Sequence, residues 1–138
     1  MKTFQIAGAI ILAGIVGWFA FAPDSNDNNV NAGLPIVQVA VPELDALAQE
    51  GEALFNANCA RCHGTNAAGN DGAGPPLIHV IYEPSHHGDA AFYMAAKNGV
   101  RGHHWPFGNM APIEGITDKD LAKIVGYVRT LQSANGIR

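Results

Sequence analysis

The chain has 138 residues, which is the length of one ordinary domain with a single hydrophobic core. Its composition, with 48% hydrophobic and 14% charged residues, is that of a globular protein and argues against disorder along the whole chain. Eight basic and twelve acidic residues give a formal net charge of −4, so nucleic acid is not an expected partner, because nucleic-acid binding needs a basic surface.

The chain begins with an apolar segment, residues 6–22, which contains no charged residue and is preceded by Lys2. This segment is at the short limit for a bilayer-spanning helix, so residues 1–22 are interpreted as a cleaved export signal or a retained membrane anchor. The stretch Ala20-Phe21-Ala22 resembles a cleavage site, but Pro23 directly after it favours the anchor. In both cases the remainder is expected at the periplasmic side of a bacterial inner membrane, anchored or soluble after cleavage.

Residues 23–42 are polar at first and then contain Pro35 and Pro42. They are predicted to form a linker that lets the following domain, residues 43–138, move over the membrane surface if residues 6–22 remain uncleaved. The predicted organisation is therefore a signal or anchor, a linker and one domain.

The first two predicted helices of this domain are segments with the apolar spacing of amphipathic helices. The first begins at Glu43 and runs to the cysteines, with a predicted inner face at Leu44, Leu47, Ala48, Gly51, Leu54, Phe55 and Asn58. The second covers about Asp89 to Lys97 and ends at Asn98-Gly99, with a predicted inner face at Phe92, Ala95 and Ala96.

The third predicted helix has the clearest sequence signals. Thr117 is predicted as its N-cap, with Asp120 three residues later in a variant capping box. The buried stripe is predicted at Leu121, Ile124, Val125, Val128 and Leu131. No segment between the helices alternates like a β-strand, so the predicted fold class is all-α.

The chain contains two cysteines, Cys59 and Cys62, and His63 follows them directly. A thioredoxin-like redox site would need a βαβ context, and a structural zinc site would need four ligands. A disulfide would leave the histidine unexplained. Covalent haem attachment uses all three residues, because both sulfurs form thioether bonds and the imidazole binds the iron. The motif therefore predicts one covalent haem c.

Residues from about Leu44 to Leu131 resemble a class I cytochrome c domain. The features that carry the resemblance are, in chain order, Gly51, Phe55, Cys59, Cys62, His63, Gly74-Pro75-Pro76-Leu77, Gly108-Asn109-Met110-Ala111-Pro112 and Tyr127. The resemblance implies N- and C-terminal helices that cross around a covalently bound haem. Gly51 is then expected to meet Tyr127 or its neighbour Gly126.

The resemblance also assigns roles to two residues outside the cysteine motif. The Pro75 carbonyl is expected to accept a hydrogen bond from the His63 ring and to fix its orientation. Met110 is expected to be the second axial ligand of the iron, where a thioether stabilises the ferrous state. Met94, in contrast, is expected to pack in the core.

Five further histidines occur in one region of the sequence: His79, His86, His87, His103 and His104. In one interpretation, His86 or His87 helps to begin the second helix, and His103 and His104 bind the haem propionates. In another, one histidine from each adjacent pair binds copper or zinc, since neutral imidazoles suit both ions. In a third, one of them replaces the methionine ligand on the iron.

The predicted function is a one-electron carrier in a periplasmic or membrane-surface electron-transfer chain, without catalytic residues of its own. Two alternatives stay open: a haem-containing subunit of a larger complex, and a haem enzyme or sensor with a labile distal ligand. Either could be with or without copper at the extra histidines. The acidic balance predicts redox protein partners with a basic docking patch.

Overall fold

The computed structural model describes residues 33–138. The predicted signal or anchor, residues 1–22, lies outside the described residues, as does the predicted linker up to residue 32. Within residues 33–138, no helix combines the length and the apolar character that crossing a membrane requires.

The described part of the chain is built on helices. Its four α-helices are α1 (Ala46–Asn58), α2 (Ala60–His63), α3 (Asp89–Asn98) and α4 (Asp118–Ala134), with 3₁₀ turns at Thr65–Ala67 and Val80–Tyr82. In place of strands, residues 33–138 contain two isolated bridges, Asn70 with Gly74 and Val100 with Met110. The all-α prediction is confirmed.

The core of the domain is the crossing of α1 and α4. A Cβ atom on Gly51 would lie 2.2 Å from the Lys123 carbonyl oxygen and 2.8 Å from the Tyr127 Cβ, so only glycine allows this approach. The rings of Phe55 and Tyr127 pack beside it with centroids 5.6 Å apart. A Cβ on Gly126 would meet no described atom within 4 Å. Gly51 therefore meets Tyr127, the first of its two expected partners.

Helix α4 follows its sequence prediction closely. The Thr117 hydroxyl accepts a hydrogen bond from the Asp120 amide at 3.1 Å, and the Asp120 carboxylate accepts one from the Thr117 amide at 3.3 Å. This reciprocal pair confirms the capping box. Helix α4 buries all five residues of the predicted stripe, which are Leu121, Ile124, Val125, Val128 and Leu131. It also buries Tyr127 and Gln132.

The prediction for the inner face of α1 is wrong at Leu47, which is 62% exposed, and at Asn58, which is also exposed. The helix buries Ala48, Gly51 and Phe55. Successive residues are about 100° apart around a helix, so Leu47 lies roughly a quarter turn away from this face.

The last part of the predicted linker packs on the domain. The Val37 amide donates to the Ala68 carbonyl at 3.0 Å. The Asn135 side chain accepts from the Ala40 amide at 2.9 Å and donates to the Ala40 carbonyl at 2.8 Å. Residues 33–42 are therefore part of the folded body, while the outer boundaries of the linker remain predictions.

Two polar side chains of α4 hold the segment that precedes α3. Gln132 is 1% exposed and donates from Nε2 to the carbonyl oxygens of Leu77 at 2.8 Å and Tyr82 at 3.1 Å. Arg129 donates to the carbonyl oxygens of Tyr82 at 2.8 Å and His87 at 2.6 Å. These four bonds fix the course of a segment that has little regular structure of its own.

Candidate functional site

The two cysteines lie at the junction of α1 and α2. Cys59 closes α1 by donating its amide to the Phe55 carbonyl at 2.7 Å, and the single turn of α2 places Cys62 and His63 directly after it. Cys59 and Cys62 are not joined in a disulfide. Burial, with a smaller contribution from Cys62, raises the pKa of Cys59 to about 11, so this thiol is uncharged at neutral pH. One short turn thus presents two sulfurs and an imidazole together.

His63 has the tautomer that binding to a metal through Nε2 requires. Its Nδ1 lies 2.9 Å from the Pro75 carbonyl oxygen. Because a carbonyl only accepts hydrogen bonds, Nδ1 carries the proton and Nε2 keeps its lone pair. Burial lowers the pKa of the His63 ring, and the Pro75 bond offsets part of this effect. The neutral ring therefore offers Nε2 as a ligand at pH 7.

A cavity of about 380 Å³ lies beside His63. Its wall brings His63 and Pro75 together with Met110, which is distant in the sequence. Most of the wall is apolar, and its aromatic members are Tyr82, Phe92, Trp105 and Phe107. An apolar cavity with an imidazole and a thioether on its wall suits a flat hydrophobic group that carries a metal.

The backbone of Met110 pairs with that of Val100, and this pairing positions Met110 at the wall of the cavity. The Val100 and Met110 amides donate to each other's carbonyl oxygens, both at 2.9 Å. Gly99 makes this pairing possible, because its φ is +75° and a Cβ atom there would lie 2.5 Å from the Met110 carbonyl oxygen. The Asn109 side chain accepts from the Gly102 amide at 3.0 Å and closes the loop between the paired residues.

A buried donor in the cavity wall is left unpaired within residues 33–138. The indole Nε1 of Trp105 is buried and has no hydrogen bond of good geometry there. It lies near the Tyr82 hydroxyl, whose pKa is raised by burial and lowered to a smaller extent by the indole. An unpaired buried donor is costly unless a ligand supplies an acceptor. A haem carboxylate is such an acceptor, so the residues present fit the predicted group.

The structure corrects the expectation for Met94. This residue is 60% exposed and belongs to the wall of the cavity. Helix α3 buries Ala96 and turns Phe92 toward the core cluster. Met94 is two positions from each of them, which is more than half a turn, so it points away from the buried face.

The roles of three contributors to the site were not predicted from the sequence: Tyr82, Trp105 and Asn109. The available signal for Trp105 was a large aromatic residue in a stretch without helical or strand spacing. The role of Tyr82 had no comparable signal. Asn109 was named as part of the motif around Met110, but its hydrogen bond to Gly102 is a contact that only the folded chain creates.

Four of the extra histidines form one group, here named the histidine cluster: His86, His87, His103 and His104. The ring centroids of His86 and His87 are 4.7 Å apart, and those of His103 and His104 are 4.2 Å apart. The two pairs meet, with centroid distances of 5.7 Å from His86 to His104 and 5.5 Å from His87 to His104. Loss of solvent and the three neighbouring imidazoles lower the pKa of His104.

The histidines that lie close enough to share a metal ion are not the combination that was predicted. One ring from each adjacent pair was expected, but His86, His87 and His104 all place a ring nitrogen within 4.8 Å of one another. The N-cap of α3 is Gly88, without a side-chain cap, so neither histidine before it begins the helix. His79 lies apart from the cluster and packs edge-on against Trp105, with centroids 5.1 Å apart.

Comparison with known proteins agrees with the predicted family. A sequence model of the family described as cytochrome c matches residues 48–132, which is more than half of the chain. A cytochrome bc1 complex cytochrome c subunit from Corynebacterium diphtheriae is 40% identical over 72 residues, or 51% of this chain and 23% of that protein. The subunit of the same name from Mycobacterium leprae is 40% identical over 67 residues, or 47% and 21%.

The chain spans less than a quarter of the length of the curated relatives that it matches. The family match itself includes Cys59, Cys62, His63 and Met110. The chain therefore belongs to the cytochrome c family, with the class I fold and the covalent haem c that this membership implies.

Proposed function

We propose that this cytochrome c is a mono-haem carrier of single electrons that works at the periplasmic side of a membrane. The observation that carries the proposal is that His63, oriented by Pro75, and Met110 belong to the wall of the same apolar cavity. Two protein ligands on an iron leave no position for a substrate, so this pair favours electron transfer over bond chemistry.

Each residue of the site has a separate role in this proposal. Cys59 and Cys62 would hold the haem through thioether bonds, and the Nε2 atom of His63 and the sulfur of Met110 would be the protein ligands of its iron. When bound, haem supplies the exchange of one electron. The chain attaches and orients the haem and excludes water from it with the apolar wall of the cavity.

Trp105 is proposed to bind one haem carboxylate. Its buried Nε1–H is available, and a charge-assisted hydrogen bond from a buried donor is stronger than one between neutral groups. A carboxylate held in this way stays at a fixed position relative to the iron, which limits structural change between the two redox states.

The test of the iron ligand compares two methionine variants of the haem-loaded protein. Met110→Leu should abolish the weak sulfur-to-iron charge-transfer band of the oxidised protein and lower its reduction potential, because the thioether favours ferrous iron. Met94→Leu, which replaces a second methionine in the wall of the same cavity, should keep the band. A band that survives Met110→Leu would contradict the ligand assignment.

Two measurements on the unmodified protein test the wider proposal. Acid–acetone extraction should leave the colour on the polypeptide, because thioether bonds survive it. The ferrous protein should resist carbon monoxide at neutral pH, because the Met110 sulfur would compete with it for the iron. Loss of the colour would overturn the covalent attachment, and rapid binding of carbon monoxide would favour a haem enzyme or sensor.

The partner is proposed to be a membrane redox complex of the bc1 type, as its component or as a protein that docks to it. The support is the likeness to cytochrome c subunits of bc1 complexes. Attachment through residues 6–22, where these are retained, would keep the carrier near such a complex. The proposed activity requires no copper at the histidine cluster.

The net charge of −4 leads us to propose a basic docking patch on the partner. Electron-transfer encounters are small and short-lived, and opposite charges raise their association rate. The bimolecular rate of electron transfer should therefore fall as salt is added. A rate independent of salt would contradict electrostatic docking and leave the haem assignment untouched.

A further inference from the structure

We propose that the histidine cluster binds one divalent transition-metal ion, of the class that includes Cu²⁺ and Zn²⁺. His86, His87 and His104 supply three ring nitrogens that all lie within 4.8 Å of one another. Ligands bound to zinc at about 2.1 Å in a tetrahedron are about 3.4 Å apart, so the rings need to close by only a small amount. His86 and His104 are exposed and can make this adjustment by side-chain rotation.

The tautomers of two members of the cluster favour this role. His87 Nδ1 lies 2.6 Å from the Ile81 carbonyl oxygen, and His103 Nδ1 lies 2.9 Å from the Arg101 carbonyl oxygen. Since carbonyls only accept, both Nδ1 atoms carry the proton, and in the neutral rings both Nε2 atoms keep a lone pair. Metal-binding histidines commonly donate their second nitrogen to a carbonyl in this way, which fixes the ring and raises its basicity.

The backbone on both sides of the cluster is held by the fold. Arg129 of α4 donates to the carbonyl oxygen of His87 at 2.6 Å and to the Asp89 carboxylate at 2.8 Å. His103 and His104 lie in the loop between the bridged residues Val100 and Met110, and the Asn109 side chain closes this loop. The cluster is therefore a product of the folded domain, because the pairs come from separate segments that α4 and the bridge position.

The donor set indicates which ions are suitable. The group consists of imidazoles, and no carboxylate oxygen of the described residues belongs to it. Neutral nitrogen donors suit Cu²⁺, Zn²⁺ and Ni²⁺, whereas Ca²⁺ and Mg²⁺ require oxygen ligands. Cu²⁺ is expected to bind more tightly than Zn²⁺, as it does at most nitrogen sites. With three histidines bound, a fourth position is open to water or to His103.

The test uses the oxidised, haem-loaded protein after treatment with a chelator, so that the haem cannot reduce the added copper. Cu²⁺ is titrated and followed by electron paramagnetic resonance, and Zn²⁺ is measured by equilibrium dialysis. We expect one ion per haem, with the copper spectrum showing coupling to several nitrogens. The Met110 band is recorded throughout and should not change, because the ion binds outside the iron ligands.

The decisive variant is His86→Gln combined with His104→Gln. Both residues are exposed, but His104 also belongs to the wall of the haem cavity, so His86→Gln alone, at a residue outside that wall, is measured beside the double variant and should keep the haem spectrum of the wild type. Loss of a residue that only supports a metal ligand lowers metal affinity by up to about 100-fold. Removal of two ligands themselves should therefore weaken Zn²⁺ and Cu²⁺ binding by at least about 100-fold. The matched control is His79→Gln, which removes an imidazole outside the cluster and should bind both ions as the wild type does.

Three outcomes would overturn the proposal. Equal binding by the wild type and the double variant would mean that the cluster is not the site. A copper spectrum with oxygen donors alone would exclude imidazole ligation. If the haem-loaded wild type takes up no ion, the histidines bind the haem carboxylates or solvent instead. None of these outcomes affects the proposed electron transfer, which is tested by the Met110 band.

Discussion

The crossing of α1 and α4 and the segment from residue 79 to residue 115 are built in opposite ways. In the crossing, α4 alone buries seven residues, and α1 meets it at Gly51 without room for a Cβ atom. In the segment, Ala96 is buried and Tyr82 and Phe92 are half-buried, because much of the segment forms the wall of the haem cavity. The segment is held instead by side chains of α4 that bind its carbonyl groups and by a single backbone bridge. Apolar packing thus dominates the crossing, whereas in the segment the polar attachments from α4 add to the packing of Tyr82 and Phe92 on the core.

The crossing therefore mainly determines the stability of the domain, whereas the segment mainly determines its function. The segment contains Met110, the histidine cluster and most of the aromatic wall of the cavity. Residues that bind a ligand need to leave a surface open toward it, so they cannot all be buried against protein. A substitution in the crossing should therefore unfold the whole domain more easily, whereas one in the segment should change the site first.

The largest effect is expected for Gly51→Ala. A methyl group at this position would lie 2.2 Å from the Lys123 carbonyl oxygen, and backbone cannot move aside as a flexible side chain can. We expect a loss of about 3 kcal/mol of unfolding free energy, as for severe overpacking. Denaturant unfolding of the haem-loaded protein, followed by circular dichroism, measures it.

Gly126→Ala is the matched control for this prediction. It also replaces a glycine in the interior of a helix, but a Cβ atom there meets no described atom within 4 Å. It should stabilise the protein by about 0.5 to 1 kcal/mol, because alanine loses less backbone entropy in a helix. Equal effects of the two variants would show that the close approach of α1 and α4 does not limit stability.

Arg129→Met should have the next largest effect and should act mainly on the segment. It leaves the carbonyl oxygens of Tyr82 and His87 without their charged donor, and we expect a loss of about 2 kcal/mol. Hydrogen exchange should become faster at the His86 and His87 amides, which bind the Glu83 carbonyl, than in the middle of α4. Arg101→Met, at an exposed position, is the control and should change neither.

Gly99→Ala should disturb the Met110 ligand. Gly99 has a φ of +75°, and a Cβ atom there would lie 2.5 Å from the Met110 carbonyl oxygen. Gly115→Ala is matched to it, because Gly115 has a φ of +74° but has no described atom within 4 Å of an added Cβ. Both should lose about 1 kcal/mol from the left-handed backbone. Only Gly99→Ala should weaken the sulfur-to-iron band, and a similar loss in Gly115→Ala would contradict this contact.

The sequence predicted the crossing better than it predicted the segment, and the reason is physical. The capping box and the buried stripe of α4 are local patterns, because residues three and four apart share a helix face. The Cys59, Cys62 and His63 motif is local in the same sense. Their arrangement could therefore be read without the rest of the chain.

The segment depends on contacts between residues that are distant in the sequence. The meeting of His86 and His87 with His104 follows from where Arg129 and the Val100–Met110 bridge place two loops. Neither attachment leaves a periodic pattern in the sequence. Met110 was assigned through its resemblance to a family motif, and the exposure of Met94 shows that methionines without such a motif were not predictable.

Tyr127→Phe should have the smallest effect and a characteristic pH dependence. The Tyr127 hydroxyl donates to the Asn66 side chain at 3.2 Å, and its removal should cost about 1 kcal/mol at neutral pH. Burial, with a smaller contribution from Glu52, raises the pKa of Tyr127 from 10.0 to about 12 in the folded protein. Below pH 10 both states keep this proton, but between pH 10 and about 12 only the unfolded state loses it, so stability falls as pH rises through that range. Tyr82 also titrates at high pH, so the test is the difference in unfolding free energy between the wild type and Tyr127→Phe. This difference should shrink between pH 10 and about 12, and a constant difference would mean that the hydroxyl is as well solvated in the crossing as in the unfolded chain.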